Sequence, residues 1–372
     1  MKTVYILGAG FSFDAGAPLQ KDIIREAFRL NRENQDNFNQ EKFNEFKQFI
    51  IEQLNFTEEH SKNVDLEDIF TPLDRCLSEN SQFRGINLSQ IMKTRDSVFY
   101  VVGKTIQTLL NKTEKTKDYI DIFAHHLTKA SSTRANEKYR DTDPVSIIST
   151  NWDILLDNSI YESIQTNDKY DGVVDYCCYI SSKDEHDKSV IPGLEKLGQG
   201  GFNVKLLKLH GSLNWLQCPR CARLYAKFRE KSAMHSFEES SSCRHCDKNF
   251  PEEHNRHILS PNMIMPTYLK DLSNPQYRII WQNAGIEISE ADRIVFIGYS
   301  LPHADFEMRQ LLSRMTRKNA EIQVVDWISP GDDPKSDKRT EKENHWKNFF
   351  GKREIGFFFD GASKFIKDQY NC

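Results

Sequence analysis

The chain lacks any apolar run approaching the roughly 20 residues that cross a bilayer, so no membrane-spanning helix is expected. It lacks an excess of charge of either sign: 50 Lys and Arg stand against 54 Asp and Glu, for a net charge of −4. Such balance argues against a general electrostatic grip on nucleic acid or a membrane surface, and leaves nucleic-acid binding open only through a local basic patch. Internal repeats and low-complexity tracts are missing, which excludes a repeat architecture. No secretory leader is expected. The short apolar stretch within residues 1–7 runs into Gly8 rather than a small-residue cleavage site. It reads as a first β-strand, and a cytoplasmic location is expected. No carboxylate cluster has the spacing of a metal-dependent nuclease.

What is present begins with cysteine. Of eight cysteines, four form two Cys-x-x-Cys pairs, Cys218/Cys221 and Cys243/Cys246. In a long chain this pattern points to a metal site in a reducing compartment rather than a disulfide framework. Four thiolates surround a tetrahedral ion, and zinc suits them. With four ligands no position stays open for water, so the expected Zn2+ is structural. His235, His245, His254 and His257 lie nearby in sequence and read first as surface residues.

At 372 residues and 38% hydrophobic composition, the chain supports one large domain with inserted modules. Short apolar runs at 3–7, 145–150, 206–209, 293–297, 322–325 and 354–359 read as strands, most ending in small or polar residues and several followed by helical sequence. That is the pattern of an open α/β sheet, whose ligands bind at the carboxyl ends of the strands. Residues 22–130 are mostly helical in pattern: Phe43, Phe46, Ile50 and Leu54, then Val98, Val101, Val102, Ile106, Leu109 and Leu110, then Tyr119, Ile120, Ile122, Phe123 and Leu127 form apolar faces that read as core packing. The expected fold is therefore α/β: a Rossmann-like parallel sheet (1–21, 131–210 and 261–372) with a helical insertion (22–130) and a small four-cysteine zinc module (211–260).

Four motifs carry possible chemistry. Gly8-Ala9-Gly10-Phe11-Ser12, continuing to Gly16-Ala17-Pro18, follows the first strand. Glycines there let a backbone approach a pyrophosphate, although Phe13 stands where the dinucleotide fingerprint has its third glycine. A structural tight turn is the other reading. The second motif is the cysteine set. The third is a pair of strand ends, Ser149-Thr150-Asn151-Trp152-Asp153 and Leu209-His210-Gly211-Ser212. His210 suits a general base at neutral pH, and Asn151 supplies a carboxamide that can orient water or a ribose hydroxyl; a structural histidine is the alternative. The fourth, Gly298-Tyr299-Ser300-Leu301-Pro302-His303-Ala304-Asp305, either donates to phosphate or ribose or is an ordinary turn with Pro302 setting a helix start.

In this order, the motifs resemble those of the sirtuin family over residues 1–20 and about 145–330. The glycine loop is similar to that family's phosphate loop, Asn151-Trp152-Asp153 to its Asn-x-Asp motif, Leu209-His210-Gly211 to its catalytic histidine segment, and Gly298-Tyr299-Ser300-Leu301 to its Gly-Thr-Ser-Leu turn. The resemblance implies NAD+ as a substrate. It implies that Gly8, Ala9, Gly10 and Ser12 hold the phosphates, with Gly16, Thr150 and Gly298 in the same cofactor pocket. Asn151 and Asp153 would lie at the nicotinamide ribose, His210 would be the base, and Ser300 and Asp326 would lie towards the adenosine half.

The chain also departs from deacylating sirtuins. Leu19-Gln20-Lys21 stands where they carry Asp-Phe-Arg. Residues 258–267, with Pro261 and Pro266, replace the Phe-Gly-Glu segment that pairs with an acyl-lysine peptide. The pattern looks like the sirtuin-like effectors of bacterial anti-phage defence. This resemblance implies NAD+ hydrolysis to nicotinamide and ADP-ribose, or its cyclic form, a homo-oligomer, and a partner in trans such as a HerA-type ATPase. An NAD-dependent protein deacylase and a non-enzymatic zinc-containing scaffold are the alternatives.

Overall fold

Every residue of Thr3–Leu7 is buried, as a strand covered on both faces requires. In a computed structural model this strand, β1, forms the middle of a sheet. The structure describes residues 1–57, 64–113, 115–135, 143–166, 171–187, 189–228, 240–329 and 337–370; His235 and Cys372 lie outside them. Along the chain the further strands are β2 (Val145–Ser149), β3 (Gly172–Asp175), β4 (Ile180–Ser182), β5 (Phe202–Lys208), β6 (Gly211–Gln217), β7 (Leu224–Ala226), β8 (Ser260–Met263), β9 (Arg293–Ile297), β10 (Glu321–Val325) and β11 (Ile355–Phe358).

Seven of them form one sheet in the order β11-β10-β9-β1-β2-β5-β3, with every pair parallel. Parallel neighbours need crossover connections, so the strands alternate with helices that cover the sheet. The strands β4, β7, β6 and β8 form a second, four-stranded sheet. Its outer end carries the four cysteines and a small core of Leu216, Tyr225 and Leu259 around them. The fold is thus the expected Rossmann-like parallel sheet with a helical region and a four-cysteine module.

The helical region folds on its own core. Helices α1 (Ile23–Glu33), α2 (Gln40–Gln48), α3 (Leu66–Glu79) and α4 (Leu88–Lys112) bury Phe28, Phe43, Phe46, Phe70 and Val98 together. Local chemistry sets their ends. The Asn87 side chain accepts from the Gln90 amide at the start of α4, and Asn80 adopts the left-handed conformation that closes α3. The same core takes in Ile154, Leu213, Met263 and Met265, so these helices pack against the loop after β2 and against the second sheet. The next helix, α5 (Asp118–Ser132), behaves differently: Tyr119, Phe123 and Leu127 join the core of the seven-stranded sheet.

Two local expectations shift. Only a single 3-10 turn, Ala9–Phe11, follows the glycine loop directly, and α1 begins at Ile23. The helix after β9, α10 (Phe306–Met315), starts at Phe306 rather than at Pro302. Asp305 closes a turn onto Pro302, its amide 3.2 Å from the Pro302 carbonyl, and its carboxylate accepts from Tyr299, which holds the intervening residues out of the helix.

Candidate active site

The chain runs from β1 to β2 on one side and returns to β9 on the other side of β1. The carboxyl ends of β1 and β9 therefore mark the point where strand order reverses, the place where open α/β sheets form a crevice. Gly8 leaves β1 here and Gly298 leaves β9. The two loops are stitched by Gly8 N–H to Ile297 O (3.1 Å) and Gly10 N–H to Gly298 O (3.0 Å). A Cβ on Gly8 would lie 2.6 Å from Tyr299 Cα, and one on Gly298, at φ +62°, would lie 2.1 Å from Phe11 N. Loop-to-loop packing alone thus demands glycine at these positions.

A cavity of about 920 Å³ opens above these loops. Gly8, Ala9, Gly10, Thr150, Asn151, Asp153, His210, Gly298, Ser300 and Asp326 line it. Ser12 and Gly16 are not among the lining residues. Ser12 is buried behind Asn151, at 3.5 Å from its Nδ2, and Gly16 sits against Thr113 at φ +100°.

Asn151 is fixed from below. Its Nδ2 donates to the Gly8 carbonyl at 2.9 Å, which ties the end of β2 to the loop after β1. Thr150 repeats the tie through Leu7 O, at 3.1 Å from its hydroxyl. Asp153 turns inward at the start of α6 (Leu155–Gln165), where its Oδ1 accepts from the Leu155 amide. Burial raises its carboxyl, against the opposing pull of Lys208 and the Ser12 hydroxyl. Lys208 is itself buried, donating to the Asp153 carbonyl at 2.6 Å and pairing with Asp157 at 3.1 Å. Breaking a buried pair of this kind leaves one charge uncompensated, so β5 and the start of α6 are held in register.

His210 follows β5 and lines the cavity, with its Nε2 buried and 3.4 Å from Asp305 Oδ1. Asp305 is a hub. Its Oδ1 also receives Lys270 Nζ at 2.5 Å, and its Oδ2 accepts from Tyr299 at 2.7 Å. Burial would raise the Asp305 carboxyl, but the neighbouring His210 and Lys270 outweigh it and hold it well below the usual carboxylate range.

Several lining residues were given no role by sequence reasoning. Gln20 and Glu67 close one wall, joined by two 2.9 Å hydrogen bonds, with Asp65 and Asp68 beside them at the start of α3. Lys270 comes from the loop after β8. Lys342 and His345 come from α11 (Asp337–Phe350), where Lys342 pairs with Asp326 at 2.5 Å. Asp305 stood within a quoted motif, and its place three residues after a proline turn was the one signal available. Gln20 stood where the chain departs from the deacylating pattern, and the others come from segments without a motif.

The four cysteines converge at the far end of the second sheet. Their sulfurs all lie within 4.8 Å of one another, with Cys218–Cys246 at 3.7 Å and Cys221–Cys243 at 3.8 Å. Tetrahedral metal–sulfur bonds of ~2.3 Å place sulfurs about 3.8 Å apart, so the set fits zinc. Neither His254, exposed, nor His257, bound to Glu253 at 2.6 Å, belongs to that set. Among the described residues no helix is long and apolar enough to cross a membrane.

No protein-family model matches the chain, and no curated protein matches it in sequence. Among solved structures it is similar to a Sir2 homolog in complex with NAD, at 13% identity over 100% of this chain and 88% of that one, with a TM-score of 0.45. It is also similar to a mutant Sir2 homologue bound to 2'-O-acetyl ADP-ribose, at 13% identity over 100% of this chain and 90% of that one, TM-score 0.43.

Proposed function

We propose that the protein hydrolyses NAD+ at the bond between nicotinamide and ribose, releasing nicotinamide and ADP-ribose or its cyclic form. The observation that carries this reading is the meeting, in one cavity at the strand-order reversal, of the glycine loops, the Asn151 carboxamide and the His210 imidazole. The cavity is of a size for a dinucleotide-like ligand, since small-molecule sites span about 300–1,000 Å³.

The loops 8–10 and 298–300 would hold the pyrophosphate and ribose, using binding energy remote from the reacting bond to fix the nicotinamide ribose. Cleavage passes through an oxocarbenium-like state, as in other glycosidic bonds, and nicotinamide leaves as a neutral base. Asn151, clamped to Gly8, orients a water at the anomeric carbon. His210 takes the proton from that water or from a ribose hydroxyl. Thr150 supports the strand end that carries Asn151, through its bond to Leu7, and Asp153 would sit with Asn151 at the nicotinamide ribose. Asp326 reaches the adenosine half only by leaving Lys342 or sharing it. A zinc ion held by Cys218, Cys221, Cys243 and Cys246 would supply structural cross-linking of the second sheet.

A role as an NAD-depleting defence effector, a homo-oligomeric state and a HerA-type partner in trans belong to the same proposal and rest on the motif resemblance. A protein deacylase is the second reading. Against it, Pro261 stands in β8, the edge strand beside β6, where it lacks the backbone donor that an added peptide strand would use. Nicotinamide release by purified protein, with and without an acetyl-lysine peptide, separates the two: the hydrolase needs no peptide.

A further inference from the structure

The most unusual chemistry around the cavity is the grouping of Asp305, Lys270 and Tyr299 behind His210. Asp305 is 5% exposed and the Lys270 side chain 2%. Burying an ion is costly unless it is paired and hydrogen-bonded. Here the pairs are complete: Lys270 Nζ spans Asp305 Oδ1 at 2.5 Å and Glu307 Oε2 at 2.8 Å, and Tyr299 donates to Asp305 Oδ2 at 2.7 Å. The atom left without a hydrogen bond is His210 Nε2, buried and 3.4 Å from the same Oδ1.

We propose that Asp305 is a positioning residue for His210: its carboxylate keeps the proton on Nε2 so that Nδ1 is the basic nitrogen, and Lys270 holds that carboxylate in place. A carboxylate behind an imidazole fixes ring and tautomer in this way in hydrolytic triads, without itself taking the proton. The inference rests on the reading of His210 as the base. The charged side chains gathered here are Asp305 from the turn before α10, Glu307 from α10 itself and Lys270 from the loop after β8; Asp153 and His303 line the same cavity.

The arrangement fixes the tautomer of the ring, which a merely structural role does not. Proton and nitrogen NMR resonances of the ring report which nitrogen carries the proton, and the His210 signals are assigned by their loss in His210→Ala, whatever the activity. The parent is expected to carry the proton on Nε2. In Asp305→Asn the side-chain amide offers a donor as well as an acceptor, so that tautomer gives way to the Nδ1–H form or to a mixture. Nicotinamide release is followed in parallel: Asp305→Asn lowers kcat by roughly 10²–10⁴-fold while KM for NAD+ stays within about threefold, and Asp305→Glu recovers part of the loss. A parent with the proton on Nδ1, a tautomer unchanged in Asp305→Asn, or a kcat for Asp305→Asn within twofold of the parent would overturn the proposal. Should Asp305→Asn fail to fold, Lys270→Gln decides in its place: the Nε2–H form present in the parent must give way at least in part once Lys270 no longer holds the carboxylate. Should the parent release no nicotinamide, the hydrolase reading fails while the tautomer still decides the pairing.

Discussion

Gly298 rests directly on Gly10: a Cβ on Gly298 would lie 2.3 Å from the Gly10 carbonyl carbon and 2.1 Å from Phe11 N. The contact joins the ends of the two strands where the sheet reverses its order, and the floor of the cavity is built on it.

Replacing Gly298 by alanine is therefore expected to be severe. It combines a left-handed backbone, φ +62°, with a clash against main chain that cannot rotate away. The expected loss is roughly 2–4 kcal/mol in denaturant unfolding, with the cavity floor displaced. Gly356 on β11 is the control. A Cβ there meets nothing closer than 3.8 Å, so Gly356→Ala should change stability by less than about 0.5 kcal/mol.

The two buried carboxylates of the site should have opposite effects on stability. Folding lowers the Asp305 carboxyl, so its contribution is present above the unfolded value near ~3.9 and is lost as pH falls through the lower folded value. Folding raises the Asp153 carboxyl through burial, so its contribution is most favourable below ~3.9 and is lost as pH rises through the raised folded value. At neutral pH, Asp153→Asn should therefore unfold at a higher denaturant concentration than the parent, and Asp305→Asn at a lower one. Urea midpoints at pH 7 test both signs.

Elemental analysis of the purified protein should find one zinc per chain. Cys218→Ser or Cys246→Ser should lose the metal and lower Tm by more than about 5 °C, because the cross-link that closes the outer end of the second sheet is gone. A protein that keeps its zinc after either substitution would refute the ligand assignment.

Most of the central sheet was legible because its strands are buried on both faces, so apolar residues stand side by side without alternation, as in Val4–Leu7, Ile147–Ile148 and Ile294–Ile297; β3 (Gly172–Asp175), a four-residue edge strand that opens on glycine, was not read. The second sheet was not. Its members are short and carry little apolar signal, as in Ile180–Ser182, or contain proline, as in Ser260–Met263. Asn151, His210 and the glycine loops could be read because each ends a strand. The acidic start of α3, Lys270 and Lys342 could not, because each reaches the cavity from an element that only packing brings there. Gly8 and Gly298 were read through phosphate binding, whereas their nearest neighbours are each other's loops.

The most direct test is nicotinamide release from NAD+ by purified protein, alone and with extract of infected cells, beside His210→Ala and Asn151→Ala. The account predicts release without any acyl substrate and a loss of 10²-fold or more, on the order expected for a missing general base, in the His210 variant, with a comparable loss for Asn151. Unchanged turnover in both variants, or release that strictly requires an acetylated peptide, would contradict it.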